Sequence, residues 1–216
     1  WKLDMRLGMG DRMQGIRLDG QSVYLAEAVE AYFPYIIAWR NDPENNRYLN
    51  QPFLLTLEKQ RTWYEHYCSD PTQGLLIVVD KETGTPFATM GWTDYDSTQR
   101  ICITGRLLVG DRRYRGSLLF AEASLLFADY MYGAFEVDTC YAHIVRDNIA
   151  SIRYHEKYGF HRNDGVVRFP DEIVVNGMRQ REYVRSKANW ISVRERIVQR
   201  VSQDGMRMNR AGEGPV

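Results

Sequence analysis

Two stretches of this chain combine residue types and spacings that could do chemistry. The first is Arg112-Arg113-Tyr114-Arg115-Gly116-Ser117, where three guanidiniums and a glycine precede a strongly apolar run. A helix beginning there would present unpaired N–H groups and the positive end of its dipole, which together suit phosphate oxygens. In the second stretch Asn148, Ser151, Ile152 and His155 fall at i, i+3, i+4 and i+7, so they share one face of a helix. A phosphate cradle followed by a polar helical face implies a phosphorylated carrier whose far end meets reactive side chains. Plainer roles stand beside these. Asn148 occupies an N-cap position with Ser151 in the first turn. Arg112 and Arg113 could form only a solvated turn, and His155 could be an ordinary, partly exposed helical residue.

The elements that must position these groups alternate between strand and helix. The sequence predicts a strand over Ser22 to Ala26, then a helix from about Val29 with Tyr32, Ile36 and Trp39 on one side. That helix should stop at Asn41-Asp42-Pro43, because proline disfavours helical geometry in the residue before it. Thr56 opens a second helix, anchored by Leu57, Trp63, Tyr64 and Tyr67. Tyr32, Trp39, Trp63, Tyr64 and Tyr67 read as core rather than as a stacking shelf for a sugar or base. Strands are predicted at Leu75 to Asp80, Phe87 to Tyr95 and Ile101 to Val109. Ser117 to Tyr132 reads as a helix apolar on nearly every side and therefore buried. A strand over Phe135 to Val145 and a helix over Ile149 to Tyr158 follow, then two late strands around Gly165 to Phe169 and Arg179 to Val184 on either side of Asn176-Gly177. From Ala188 to Val201 a charged helix carries a narrow apolar stripe, Trp190, Val193, Ile197 and Val201, to be packed on the domain or on a second subunit. Residues 1–14 read as a poorly ordered leader, 15–201 as a single α/β domain with mixed strands, and 202–216 as a disordered tail.

Lys plus Arg number 28, as do Asp plus Glu, so no net field draws the chain towards nucleic acid or anionic lipid. No apolar run approaches the roughly 18 residues a membrane span needs. Cys68, Cys102 and Cys140 lack both metal-ligand spacing and disulfide density, which makes a reducing cytoplasm the simplest home. His66, His143 and His161 are equally unsuited to a metal site, and none is expected.

The order of elements, together with Gly105-Arg-Leu-Leu-Val-Gly-Asp111, Arg113-Tyr-Arg-Gly116 and Asn148-Ile-Ala-Ser-Ile-Arg-Tyr-His-Glu-Lys-Tyr-Gly-Phe160, resembles the GNAT superfamily of acyl-CoA N-acyltransferases over roughly residues 20 to 190. Trp39-Arg40-Asn41-Asp42-Pro43 resembles the branch that acylates amino groups of nucleotide-linked sugars, and more loosely acyltransferases of ribosomal-protein N-termini and polyamines. The resemblance implies an α/β (α+β) fold: a mixed, mostly antiparallel sheet with a splayed strand pair and helices on both faces. It implies acetyl-CoA or another acyl-CoA as co-substrate and a small-molecule amine as acceptor, with no nucleic-acid or membrane partner, and it leaves a homodimer open. Leu107, Leu108 and Val109 would pair with pantetheine, and Arg113, Arg115, Gly116 and Ser117 would hold the pyrophosphate. Asn148 and Ser151 would touch pantetheine or the acyl carbonyl. The family pattern Gln/Arg-x-x-Gly-x-Gly/Ala is imperfect here. Begun at Arg115, it places Leu118 and Phe120 where small residues belong; begun at Arg113, it fits Gly116 and leaves only Leu118 irregular.

Amide formation from a thioester needs a neutral amine, a stabilised oxyanion and a proton for the departing thiolate. The family usually supplies that proton from a tyrosine, at the position held here by His155, with Tyr154 beside it. A thiol has a pKa of about 8.5, against about 6.5 for His and about 10 for Tyr. An imidazolium would donate downhill but is scarce at neutral pH; a tyrosine is always protonated but donates uphill. His155 is thus the first candidate acid and Tyr154 the reserve. The glutamate that the family often carries on the slot strand is absent from Cys102-Ile103-Thr104-Gly105, and Asp94 and Asp96 read as turn residues rather than as a base. The alternatives are a protein N-terminal or polyamine acetyltransferase, and a domain of this fold that binds without catalysing.

Overall fold

Strand β3 (Gly74–Asp80) is an uninterrupted apolar run because both of its faces are covered. Its alternate residues part company, Leu76 and Val78 entering one buried cluster and Leu75, Ile77 and Val79 another. On the first face lie helices α4 (Leu118–Tyr132), α5 (Ile149–Lys157) and α6 (Lys187–Ala211); on the second lie α1 (Phe33–Asn41) and α3 (Leu57–Ser69). The structure is a computed structural model that describes residues 15–165, 168, 173–175 and 177–211. The expected leader, residues 1–14, and the last five residues of the expected tail, 212–216, lie outside the described residues.

The remaining strands are β1 (Arg17–Asp19), β2 (Val23–Glu27), β4 (Pro86–Asp96), β5 (Ile101–Val109), β6 (Thr139–Val145), β7 (His161–Arg162), β8 (Ile173–Val175) and β9 (Met178–Ser186). They form one sheet in the order β1-β2-β3-β4-β5-β6-β9-β7, with β8 also on β9. Every pairing is antiparallel except β5 with β6. That parallel pair holds only from Ile101–Thr139 to Ile103–Tyr141 and then splays. The Thr104 hydroxyl, donating to the Tyr141 carbonyl at 3.2 Å, marks the fork. Along its other edge β5 bulges. The register passes from Gly91–Gly105 to Thr89–Leu108, so two residues, Arg106 and Leu107, face one, and Arg106 takes a left-handed φ of 51°.

Most elements match their predicted positions, and the differences have local causes. β1 was not anticipated, since three residues carrying one buried Leu18 give no periodic signal. β6 starts at Thr139 rather than Phe135 because the preceding N–H groups are used elsewhere: those of Phe135 and Val137 bond to the Tyr130 and Met131 carbonyls at the end of α4. The strand expected at 165–169 falls largely outside the described residues. Helix α6 continues past Val201 to Ala211. Its stripe lies on its own domain, with Trp190 and Ile197 buried in the core. Cys102 and Cys140, far apart in sequence, are neighbours across the parallel pair, their sulfurs 3.9 Å apart.

Asp129 of α4 clamps α6. It accepts from the Trp190 indole at 3.0 Å and from the Arg194 guanidinium at 2.7 Å through each oxygen. Asp129→Ala would leave a buried indole N–H unpaired, and urea denaturation should register a loss of about 1–3 kcal/mol. Glu195→Ala, on the exposed side of the same helix, should change stability by less than about 0.5 kcal/mol.

Candidate active site

The fork between β5 and β6 opens a slot of about 680 Å³. Leu107, Leu108 and Val109 line one wall; Asn148, Ser151, Tyr154 and His155 of α5 line the other; Arg115, Gly116 and Ser117 close one end. Beyond Ile103 the edge of β5 that faces β6 has no strand partner, so its backbone groups are free for a ligand. The slot is cationic: Arg106, Arg115, Arg153, Lys157 and Arg200 line it against one carboxylate, Glu44. Burial, reinforced by the charges of Arg200 and Arg196, lowers the Lys157 pKa.

At the closed end, Gly116 has φ of 72°, a left-handed value, and a Cβ there would meet open space. Of the two possible registers, only the one beginning at Arg113 puts a glycine at this bend. Ser117 caps α4, its hydroxyl oxygen accepting from Phe120 N–H at 3.2 Å. Arg115 and Ser117 spend their N–H groups on the Arg112 and Tyr114 carbonyls. The N–H groups of Gly116, Leu118 and Leu119 have no partner among the described residues, which is the donor set an anion needs. Leu118 does not line the slot; Phe120 does, but as a buried ring packed against Tyr154 in the core. The residues present therefore fit a diphosphate.

The three arginines divide their work. Arg112 pairs with Asp42 and Glu44, each at 2.9 Å, tying α2 (Pro43–Asn46) to the bend. Arg113 is 79% exposed, pairs with Asp111 at 2.6 Å and does not line the slot. Its expected part in holding phosphate is thus not matched by its placement. Arg115 faces the slot and donates to the Asn45 side-chain amide oxygen, Oδ1, at 2.6 Å.

The α5 face brings His155 and Tyr154 to the slot, but in forms that change their chemistry. His155 is buried, with Nδ1 at 2.8 Å from the Ser151 carbonyl. A carbonyl can only accept, so Nδ1 carries the proton and Nε2 is left as an acceptor. Burial, with the Arg185 charge adding to it, pulls the pKa of His155 down to about 4. At neutral pH it is a neutral imidazole, so the imidazolium acid expected at this position is not available. Tyr154 donates to Ser124 Oγ at 2.9 Å, and burial pushes its phenol well above the ordinary range. Neither Asp94 nor Asp96 lines the slot; Asp96 accepts from Thr98 and Gln99 N–H, as a turn residue does.

On the far side of β5 lies a second cavity, of about 280 Å³, meeting the slot at Arg106 and Leu108. Trp39, Phe53 and Trp63 give it aromatic walls, and Arg40, Lys59 and Arg106 give it charge. The run Trp39 to Pro43 builds the wall nearest the bend. The Trp39 ring covers Gly110 so closely that a Cβ there would collide with it. Asn41 brackets the Leu55 backbone, accepting from its N–H and donating to its carbonyl, both at 2.9 Å. Asp42 caps α2.

A family profile, the Acetyltransferase (GNAT) domain, matches residues 23–161. The chain is a GNAT acetyltransferase. No curated protein matches it in sequence. Among solved structures it is similar to a GCN5-related N-acetyltransferase from Brucella melitensis, at 16% identity and a TM-score of 0.73 over 88% of this chain and 87% of that one. It is similar to a nucleotide-linked sugar GNAT, FdhC, at 15% identity and 0.67 over 86% and 98%. It is similar as well to a spermidine N-acetyltransferase from Vibrio cholerae in complex with CoA and spermine, at 13% identity and 0.67 over 79% and 98%. At these identities the likeness is one of fold. As a GNAT acetyltransferase the protein takes its acyl group from acetyl-CoA.

Sequence reasoning missed several residues of this acetyltransferase. Arg153 and Lys157, four residues apart on α5, and Arg200, which α6 brings beside them, were not singled out as slot residues. Trp39 and Trp63 pack in or against the core as expected, and in addition line the second cavity. Among the described residues no helix is long and apolar enough to cross a membrane, and no group of three or more His, Cys, Asp or Glu could hold a metal.

The state of His155 is measurable. Its ring should show the Nδ1–H tautomer in nitrogen-detected NMR and stay unprotonated down to about pH 5. The unfolded chain binds this proton with a pKa of about 6.5, whereas the folded protein binds it only near 4. The resulting stability is complete above pH 6.5 and is lost progressively as pH falls towards 4. His155→Phe should flatten that stretch of the stability curve.

Proposed function

We propose that this acetyltransferase moves the acetyl group from acetyl-CoA to the primary amine of a nucleotide-linked amino sugar, by direct attack of the amine on the thioester. The observation that carries the choice of acceptor is the lining of the second cavity: Arg40, Lys59 and Arg106, and no Asp or Glu. A polyamine is a polycation and would meet like charges there. A sugar or base finds flat faces on Trp39 and Trp63. The wording of Trp39 to Pro43 supports the same reading.

Acetyl-CoA, when bound, supplies a thioester carbonyl for attack. The chain supplies position and electrostatics. On this reading the freed edge at Leu107, Leu108 and Val109 orients pantetheine, Asn148 and Ser151 offer further hydrogen bonds, and the bend at Gly116 with Arg115 holds the pyrophosphate. As the C–N bond forms the amine gives up one proton, and as the C–S bond breaks the sulfur takes one up. The two balance. A tyrosine at its ordinary pKa of about 10 would protonate a thiolate of pKa about 8.5 uphill by about 2 kcal/mol, and burial makes Tyr154 worse. His155 is neutral. The proton for sulfur therefore comes from the attacking amine through water, with Tyr154 and His155 shaping the slot.

A panel of amines with acetyl-CoA, followed by release of free thiol, tests the reading. A nucleotide-linked amino sugar should exceed glucosamine, spermidine and an N-terminal peptide in kcat/KM by at least tenfold. A larger kcat/KM for spermidine or the peptide would overturn the choice of acceptor and leave the acetyl transfer intact. Tyr154→Phe should keep kcat within about tenfold of the parent.

A further inference from the structure

Resting on the reading of the second cavity as the acceptor site, we infer that it contains a built subsite for an oxyanion of the acceptor, a phosphate or a carboxylate, held by Arg106, Gln60 and Arg40. Two unpaired buried donors carry the inference. Gln60 is 3% exposed, and its amide nitrogen has no partner among the described residues. Arg106 Nη1 is likewise buried and unpartnered. Both residues line this one cavity. Buried donors without partners lower stability and are rare in folded proteins, so two on side chains that line one space mark a place where something binds.

The charges agree with the donors. Arg106 forms no salt bridge among the described residues: its Nη2 donates to Gln73, and its guanidinium lies 5.2 and 5.8 Å from the Trp63 and Tyr67 rings. Arg40 donates from Nε to Gln51 at 2.6 Å and forms no salt bridge among the described residues. Burial lowers the pKa of Arg106, and the nearby Arg40 charge adds to the effect. Two guanidiniums and an amide thus belong to the lining of one half-enclosed space whose wall holds no carboxylate, Asp70 and Asp94 acting on Arg106 only from outside it, an arrangement that an oxyanion completes. Arg185, by contrast, is a closed structural arginine, donating to the Tyr132 hydroxyl and the Tyr158 carbonyl at 3.0 Å each. The left-handed bulge at Arg106 aims the unspent charge: it places this side chain beside the strand that faces the slot, next to where an amine must approach.

The test uses the full chain saturated with CoA, so that the bend at Gly116 is already filled. Inorganic pyrophosphate and malonate are titrated separately by calorimetry into the parent, Arg40→Gln, Arg106→Gln and Gln60→Leu. At least one anion should bind the parent at a single site and bind each variant at least tenfold more weakly. CoA affinity should be unchanged in Arg40→Gln and Gln60→Leu, which also carry the test should Arg106→Gln fail to fold. Gln60→Leu should in addition melt at a higher temperature than the parent without ligand, because it removes a buried unpaired amide, a readout that a merely structural role would reverse. Equal anion affinity across these variants, or no saturable binding of either anion, overturns the subsite. Tighter binding of pyrophosphate than malonate favours a phosphate-bearing acceptor. The opposite order keeps the subsite but points to a carboxylated amine, and so counts against the nucleotide-linked sugar alone.

Discussion

Everything at the site depends on the early end of one strand pairing. β5 and β6 share only three registered positions, Ile101–Thr139 to Ile103–Tyr141, before they part. A parallel pair continued to Val109 and Val145 would satisfy both edges and leave nowhere for an extended ligand to lie. Separation costs backbone hydrogen bonds, and the flanking structure must hold the strands apart. On one side β6 is kept straight by seven paired positions with β9. On the other, the bulge at Arg106–Leu107 twists β5 towards β4, secured by the Thr89 hydroxyl donating to the Arg106 carbonyl at 2.6 Å. The fork is thus a consequence of where each strand finds its other partner.

The same bulge couples the two cavities. An unbulged strand would alternate its side chains strictly between faces. The extra residue at Arg106 breaks that alternation, and Arg106 and Leu108 border both spaces. On the proposed reading, a donor laid along the slot and an acceptor in the aromatic cavity are separated by one strand edge. The distant run Trp39 to Pro43 reinforces this junction from outside: Trp39 seals Gly110, Asp42 receives Arg112, and Asn45 orients Arg115. A short motif that looks like a helix terminator is in mechanical terms the brace of the bend.

Much of this was legible in the sequence, and the failures are instructive. The helix stop before Pro43, the helix start at Ser117 and the Asn148 face follow from local chemistry, and each stands where the spacing puts it. The full cationic slot wall was not legible, because Arg200 joins Arg153 and Lys157 of α5 only when α6 docks on the domain through Trp190. Arg113 misled for a related reason. A basic residue next to a helix start resembles a phosphate ligand in sequence, but an aspartate two residues earlier claims it. His155 was placed correctly on its face, yet its protonation depends on burial beneath Phe160 and near Arg185, which no spacing rule reports. Gln60 and Arg106 gave no signal at all, since an unpaired donor exists only relative to a packed neighbourhood.

The second cavity has no carboxylate in its lining and the slot has only Glu44, which is paired with Arg112, so the lack of a free carboxylate base follows from the same electrostatics. An amine attacks only when neutral, and a base is one of two ways to make it so; a positive surround is the other. One uncompensated cation at about 6 Å, in an effective dielectric of about 20, costs an ammonium about 3 kcal/mol, which depresses its pKa by about two units. The proposed acceptor brings a diphosphate of about two negative charges, and Arg40, Lys59 and Arg106 set three positive charges against it. The cavity keeps a positive excess after the acceptor has bound, and that excess acts on the amine at the strand edge. A glutamate at the Cys102 to Gly105 position would cancel it. On this argument the missing base and the crowded cations are one design: the field that recruits an anionic acceptor also strips its nucleophile of a proton.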